Sequence, residues 1–236
     1  QDISTNRNQC LSNISSLVEY PGIYLHLSAY DNLKAKAIAL NISYDRIDMV
    51  LKQVKLDHVK NKKAKAFSQG MKQRLGIALA LIADPELLLL DEPTNGLDPN
   101  GIIEIRNLMI ELAGKHGKTI LVSSHLLAEI ERTATHVGII NKGELLFQGK
   151  INELHDLSKP VIKIEVDDSV AALNILSTTG AEIIDMDEGL VKIAYTGKAE
   201  MGKYNSLLVN NGVTVYAIYT EKKDLEHLFL DITSKN

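Results

Sequence analysis

The sequence LLLLDEPTNGLDP, which occupies Leu87–Pro99, decides the fold class of this chain. Its four leucines form an apolar run that is too short for a helix and fits a strand buried on both faces of a parallel sheet. Thr119–Ser123 predicts a second strand of this kind, and Ile102–Ala113 between them predicts a helix. Because strands and helices alternate, residues 67–150 are predicted to be α/β.

Two adjacent acids follow the leucine run. Side chains at the carboxyl end of a parallel strand project into the crevice where ligands bind. Asp91 is therefore a candidate ligand for Mg²⁺, directly or through water, and Glu92 is a candidate to polarise an attacking water. The alternative is a strand that ends in a solvated acidic turn, and the continuation Pro93–Pro99 argues against it.

A second candidate site precedes a helix at Phe67–Arg74, FSQGMKQR. A helix N-terminus carries free N–H groups and partial positive charge, so it can bind phosphate. Ser68 can add a hydroxyl, and Gly70 lets the backbone approach a ligand closely. Ordinary N-capping by Ser68 is the alternative, and it is favoured when this segment is taken alone.

His125 follows the predicted strand Thr119–Ser123, so it can project near the same crevice as Asp91 and Glu92. An imidazole there can orient water or phosphate. A histidine that is hydrogen-bonded on the surface or in the core is the alternative.

Two further regions surround this α/β core. Residues 23–83 contain a predicted helical subdomain, in which Ser28 and Asp31 form a capping pair. Pro160 marks a boundary, after which the pattern of strands and helices is βαββαβ, the ferredoxin-like order. We therefore predict an α/β domain over residues 1–158 and a small α+β domain over residues 159–236.

Composition excludes several classes of protein. The chain has 236 residues, of which 45% are hydrophobic, so it can bury a sizeable core. Its longest apolar run, Ile77–Ala83, is far shorter than the ~20 residues of a membrane-spanning helix. The net charge is −4 and no basic stripe with interleaved aromatic residues occurs, which disfavours a nucleic-acid partner.

In this order and spacing, the motifs resemble those of the nucleotide-binding subunit of ATP-binding-cassette (ABC) transporters. Phe67–Met71 is similar to the signature loop, Leu87–Glu92 to the Walker B motif, Asn95–Asp98 to the D-loop and His125 to the switch histidine. Within this family the chain is similar to the bacitracin and lantibiotic resistance ATPases, and the likeness runs over essentially the whole chain. It implies a P-loop NTPase-type ABC ATPase domain with a helical subdomain.

The resemblance also implies roles for individual residues. Glu92 and His125 would be catalytic, Asp91 and Glu19 would bind Mg²⁺, and the residues in contact with ATP would be Ser68, Gln69, Gly70, Glu19 and Asp98. Glu19 stands where most of the family has glutamine, although the resistance branch also uses glutamate. Gln69 replaces the signature's second glycine, and Met71 replaces its final glutamine.

A Walker A loop, GxxxxGK[ST], does not occur in these 236 residues. Gly117-Lys118-Thr119 comes nearest, but Leu112 stands where the first glycine is required, and the segment joins a helix to a strand instead of a strand to a helix. By resemblance, roughly 60–70 residues with the Walker A loop should precede Gln1. We therefore expect an incomplete chain that binds ATP weakly or not at all by itself; a degenerate subunit is the alternative.

For the intact protein, the resemblance implies an ATPase that powers a separate integral-membrane permease in contact with residues 19–58. The substrate would be a peptide antibiotic such as bacitracin or a lantibiotic. Two ATP-binding subunits, most simply a homodimer, would close around ATP and Mg²⁺ on the cytoplasmic side of the membrane. The alternatives are a soluble ABC ATPase that acts on ribosomes or DNA, and a non-catalytic binding subunit.

Overall fold

The computed structural model describes residues 2–18, 21–156, 160–221 and 225–234. These residues form two compact units, Gln1–Thr133 and Ala134–Asn236. The elements of the first unit are α1 (Arg7–Ser12), β1 (Ile14–Leu17), α2 (Ala29–Leu40), α3 (Asp45–Gln53), α4 (Gln69–Leu81), β2 (Leu87–Leu90), α5 (Pro99–His116), β3 (Thr119–Val122) and α6 (Leu127–Thr133). Those of the second unit are β4 (His136–Asn141), β5 (Glu144–Lys150), α7 (Ile151–Asp156), β6 (Val161–Val166), α8 (Ser169–Ser177), β7 (Ile183–Asp187), β8 (Leu190–Ala194), α9 (Lys198–Asn210), β9 (Val215–Glu221) and α10 (Leu225–Ser234).

A parallel sheet in the order β1-β2-β3 forms the centre of the first unit. The leucine run is its middle strand, and the register pairs Leu90 with Leu17 on one side and with Val122 on the other. Leu88 and Leu90 are buried in one core with Leu75 of α4 and Leu112 of α5. The predicted α/β order is confirmed, and all three strands end at the same edge.

The expectation that β3 is buried on both faces is wrong. Leu121 is 66% exposed, whereas the neighbouring Ile120 and Val122 pack against the core. Within the described residues β3 is an edge strand, and Leu121 lies on the sheet face opposite Leu88 and Leu90. A run of apolar residues predicts an apolar strand, but it does not show whether helices cover one face of the sheet or both.

The predicted helical subdomain contains α2 and α3. Ser28 caps α2, because its hydroxyl accepts a hydrogen bond from Asp31 N–H at 3.0 Å and donates one to the Asp31 carboxylate at 2.6 Å. The apolar face of α3 is fully buried, with Ile47, Val50 and Leu51 at 0% exposure.

The second unit contains the antiparallel hairpin β4–β5 and a four-stranded antiparallel sheet in the order β7-β8-β6-β9. The predicted βαββαβ order is therefore observed from β6 to β9. Ile162, Ile164, Val191 and Ile193 are fully buried with α8 and α9 in a core of their own.

The two units divide at Thr133/Ala134, whereas the sequence pattern places the domain boundary at 158/159. Hairpin β4–β5 and α7 group with the C-terminal unit, in which α7 contacts α10. Residues 157–159 lie outside the described residues, so the boundary at 158/159 remains a prediction.

Candidate active site

Asp91 and Ser123 occupy equivalent places at the carboxyl edge of the parallel sheet. Asp91 N–H extends the ladder by donating to the Leu17 carbonyl at 2.9 Å, and Ser123 N–H donates to the Leu90 carbonyl at 3.0 Å. Each residue is thus the first after its strand, and both are exposed. This edge is where the order of the strands predicts a ligand crevice.

The Ser123 hydroxyl joins the two acids that follow β2. It donates a hydrogen bond to Asp91 Oδ1 at 2.6 Å and accepts one from Glu92 N–H at 2.9 Å. A hydroxyl has one proton to donate and lone pairs to accept, so it can make both bonds at once. The ends of β2 and β3 are therefore joined by side chains as well as by the backbone ladder.

Glu92 and His125 are in direct contact. Glu92 has a φ of +44°, in the left-handed region that non-glycine residues rarely adopt. Its Oε2 lies 2.9 Å from Nδ1 of His125. An ionised carboxylate can only accept a hydrogen bond, so the ring nitrogen is the donor. The His125 side chain is 62% exposed and that of Glu92 is 25% exposed, so a ligand can reach the pair.

The segment after Glu92 is a tight turn that leads into α5. Asn95 N–H donates to the Glu92 carbonyl at 3.0 Å, and Thr94 is buried at 6% exposure. Asp98 is the N-cap of α5 and accepts a hydrogen bond from Gly101 N–H at 3.0 Å. Asp98 therefore has an observed structural role, beside the contact with ATP that the resemblance implies.

Ser68 is the N-cap of α4, and its hydroxyl accepts a hydrogen bond from Met71 N–H at 3.3 Å. Gln69 and Gly70 form the first turn, and a Cβ built at Gly70 would meet no atom within 4 Å. Within the described part of the chain, no hydrogen bond joins Ser68 or Gly70 to Asp91, Glu92 or His125. The structure thus brings together Asp91, Glu92 and His125, while the α4 N-terminus is not bonded to them.

Glu19 lies outside the described residues, so the predicted contacts of its side chain with Mg²⁺ and ATP remain predictions. Sequence reasoning missed Ser123 as part of this group. The signal was present, because Ser123 follows β3 as Asp91 follows β2, and parallel strands bring such residues to one edge.

The donors at this edge are compatible with Mg²⁺. Mg²⁺ is commonly held by one or two carboxylates together with water and substrate phosphates. Ser123 bonds Oδ1 of Asp91, and the described residues make no hydrogen bond to the other carboxylate oxygen. They also contain no cluster of three or more acids, histidines and cysteines that would form an all-protein metal cage. The site therefore fits a cation shared with a phosphate ligand.

Comparison with known proteins identifies the family. Bacitracin transport ATP-binding protein BcrA of Bacillus licheniformis is 41% identical over 231 residues, which cover 96% of this chain and 75% of BcrA. The chain belongs to the ATP-binding subunits of ABC transporters. The ABC transporter family profile also matches residues 1–95.

Other ABC proteins agree with this assignment. Lantibiotic transport ATP-binding protein SrtF of Streptococcus pyogenes is 44% identical over 149 residues, covering 63% of this chain and 65% of SrtF. The solved structure of CbiO1 from Clostridium perfringens, part of the ABC transporter complex CbiONQ, is 30% identical with a TM-score of 0.57. That likeness covers 62% of this chain and 60% of CbiO1. The ABC ATPase fold predicted from the motifs is therefore confirmed.

Among the described residues, no helix has the length and hydropathy required to cross a bilayer.

Proposed function

We propose that the intact protein hydrolyses ATP and couples this reaction to a separate integral-membrane permease. The contact of Glu92 with His125 at 2.9 Å carries this proposal, because it sets a carboxylate base beside an imidazole at the sheet edge where ligands bind. Relatives named for bacitracin and lantibiotic transport support a peptide antibiotic as the exported substrate.

The proposed mechanism rests on positioning and electrostatic stabilisation, as in other phosphoryl transfers. Glu92 accepts a proton from the water that attacks the γ-phosphate of ATP. His125 donates a hydrogen bond to Glu92 through Nδ1, which orients that carboxylate. In the protonated imidazolium the other ring nitrogen, Nε2, also carries a proton and can donate a hydrogen bond to a phosphate oxygen.

Asp91 and Glu19 would hold Mg²⁺. When bound, this cation neutralises charge on the phosphate oxygens during the transfer. On the protein side, Asp91 offers the carboxylate oxygen that Ser123 does not bond.

A second ATP-binding subunit, most simply another copy of this chain, would complete the site. Ser68, Gln69 and Gly70 of one subunit would cover the ATP held by the other. The open space beside Gly70 supports this, since a phosphate can approach the first turn of α4 without a side chain in its way. Asp98 would stabilise the closed dimer.

The permease would contact residues 19–58, on the cytoplasmic face of the membrane. A cavity of about 370 Å³ in the first unit supports this location, and it does not include Asp91, Glu92 or His125. Leu17, Pro21, Lys36 and Leu79 are among the residues that line it. Burial lowers the pKa of the Lys36 ammonium, and no described carboxylate bonds to it. Such a cavity has the size of a ligand pocket and can take side chains of a partner.

The experiment is purification of the tagged full-length protein from its native host, followed by identification of bound proteins and by an ATPase assay. A membrane permease that co-purifies and stimulates ATP hydrolysis would support the proposal. Ribosomes or DNA in place of a permease would favour the soluble ABC ATPase, and a full-length protein that binds but never hydrolyses ATP would favour the non-catalytic subunit.

The isolated 236 residues are expected to bind ATP weakly or not at all, because they contain no Walker A loop. Calorimetric titration of this polypeptide with ATP and Mg²⁺ checks this point. Tight binding would contradict it.

A further inference from the structure

We infer that Ser123 is a positioning residue of the ATPase site, whose hydroxyl fixes the Asp91 carboxylate and the Glu92 peptide relative to each other. This inference rests on the proposed function. The observation that carries it is a pair of hydrogen bonds made by one hydroxyl, which donates to Asp91 Oδ1 at 2.6 Å and accepts from Glu92 N–H at 2.9 Å.

The first bond acts on Asp91. This residue is exposed, so packing cannot restrict its side chain, and Ser123 makes its only side-chain hydrogen bond among the described residues. Hydrogen bonds to charged groups are the shorter and stronger ones, and 2.6 Å is typical of a hydroxyl on a carboxylate. Ser123 thus selects one orientation of Asp91 and leaves the second carboxylate oxygen for a cation.

The second bond acts on Glu92. A residue with φ of +44° is strained unless its surroundings hold it there. The bond from Glu92 N–H to the Ser123 hydroxyl holds this peptide, and the side chain then reaches His125. Loss of the hydroxyl would free the peptide to relax and would let the Glu92 carboxylate move away from His125.

The backbone of Ser123 is held in the sheet, which fixes the position from which its hydroxyl bonds Asp91 and Glu92. Its own N–H is bonded to the Leu90 carbonyl at 3.0 Å, so the residue is part of the sheet ladder and not of a free loop. The neighbouring Ser124 differs, because its hydroxyl accepts a hydrogen bond from Leu126 N–H at 3.0 Å and contacts neither acid. Ser124 is therefore a matched control for the removal of one hydroxyl.

The test compares Ser123→Ala, Ser123→Thr and Ser124→Ala in the full-length ATPase. For Ser123→Ala we expect kcat, measured at saturating ATP and Mg²⁺, to fall roughly tenfold to hundredfold, the effect of one hydrogen bond to a charged group. Ser123→Thr keeps the hydroxyl and should restore most of kcat, and Ser124→Ala should leave it unchanged. If Ser123→Ala does not fold, Ser123→Cys keeps the size of the side chain and removes a strong hydrogen bond.

A second measurement does not depend on turnover. Binding of Mn²⁺ with a non-hydrolysable ATP analogue is followed by electron paramagnetic resonance in the wild type, Ser123→Ala, Asp91→Ala and the double variant. We expect Ser123→Ala to weaken Mn²⁺ binding when Asp91 is present and to have no further effect when Asp91 is absent.

The outcomes separate this inference from the proposed function. Wild-type ATP hydrolysis with kcat and Mn²⁺ affinity unchanged in Ser123→Ala would overturn the role of Ser123 alone. A full-length wild type that never hydrolyses ATP would overturn the proposed function, and the Mn²⁺ measurement would then decide whether Ser123 orients Asp91.

Discussion

Nδ1 of His125 lies 2.9 Å from Oε2 of Glu92, although the two residues follow different strands and are 33 positions apart in the chain. The parallel pairing of β2 with β3 creates this contact, because it brings the ends of both strands to one edge. The proposed ATPase mechanism depends on it.

The His125→Ala variant removes the donor to Glu92. In the full-length ATPase we expect kcat to fall by about 10²-fold or more, the usual contribution of a positioned acid–base group, while ATP binding persists. Stability should change little, since the His125 side chain is 62% exposed. Steady-state kinetics and fluorescent-nucleotide binding measure the two effects. His136→Ala, which removes an exposed histidine of the second unit, is the control, and an equal loss in both variants would contradict the role of His125.

Sequence patterns predicted the local parts of this site well. The leucine run marked β2, the alternation of elements marked the parallel sheet, and Ser28 and Ser68 were recognisable as helix caps. Each of these features depends on residues a few positions apart. The positions of Asp91, Glu92 and His125, shortly after two predicted parallel strands, also indicated that they share one crevice.

Other features depend on contacts between distant residues, and local patterns do not report them. Glutamate rarely adopts a positive φ, so the residue type does not predict the backbone of Glu92. The hydrogen bond from Glu92 N–H to the Ser123 hydroxyl, which holds this conformation, joins the ends of two different strands. The exposure of Leu121 depends on what covers the second face of the sheet. The fold was therefore predictable from periodicity, whereas the hydrogen bonds within the site were not.

Asp98 is expected to stabilise α5 independently of any nucleotide. Asp98→Ala removes the acceptor for Gly101 N–H and should lower the free energy of unfolding by about 1 kcal/mol. Asp98→Asn keeps a capping oxygen and should unfold at nearly the wild-type urea concentration. If Asp98→Asn nevertheless slows ATP hydrolysis, the carboxylate charge acts in the ATPase site; equal stability of all three proteins would contradict the capping role.

Gly76 allows α4 to approach the segment after β1. A Cβ at this position would clash with Pro21 Cβ and would lie 3.0 Å from Leu17 Cδ1. Gly76→Ala should therefore destabilise the protein by about 1–3 kcal/mol through overpacking, although alanine is the better helix former.

Gly114→Ala in α5 is the control, since its Cβ would meet no atom within 4 Å. It should stabilise by about 0.5–1 kcal/mol through helix propensity. Urea unfolding of both variants checks the comparison, and stabilisation by Gly76→Ala would show that α4 does not pack this closely.

Asp84 forms ion pairs with two other segments of the first unit, through Arg46 and Lys118. Its Oδ1 accepts from Lys118 at 2.9 Å and pairs with Arg46 of α3 at 3.0 Å. The hydrogen bond from Lys118, together with Arg46, lowers the pKa of this carboxyl below its ordinary value. A group with a lowered pKa stabilises the fold above its unfolded pKa, ~4 for aspartate, and this stabilisation is lost as the pH falls through the folded pKa.

The Asp84→Asn variant should thus be less stable than the wild type at pH 7, and the difference should shrink as the pH falls below about 4. Because the Asp84 side chain is 61% exposed, we expect only about 0.2–1 kcal/mol at pH 7. Asparagine tolerates the φ of +56° at this position, so backbone strain does not contribute to the difference in stability between the two proteins. Urea unfolding from pH 3 to pH 7 measures the difference; a constant difference across this range would contradict the ion-pair origin.

The role proposed for Glu92 is that of the base in an ATP-hydrolysing site. The most direct test is single-turnover ATP hydrolysis by the full-length protein and its Glu92→Gln variant, with ATP binding measured on the same samples. We expect Glu92→Gln to bind ATP as tightly as the wild type and not to hydrolyse it. Wild-type hydrolysis by Glu92→Gln would contradict this role.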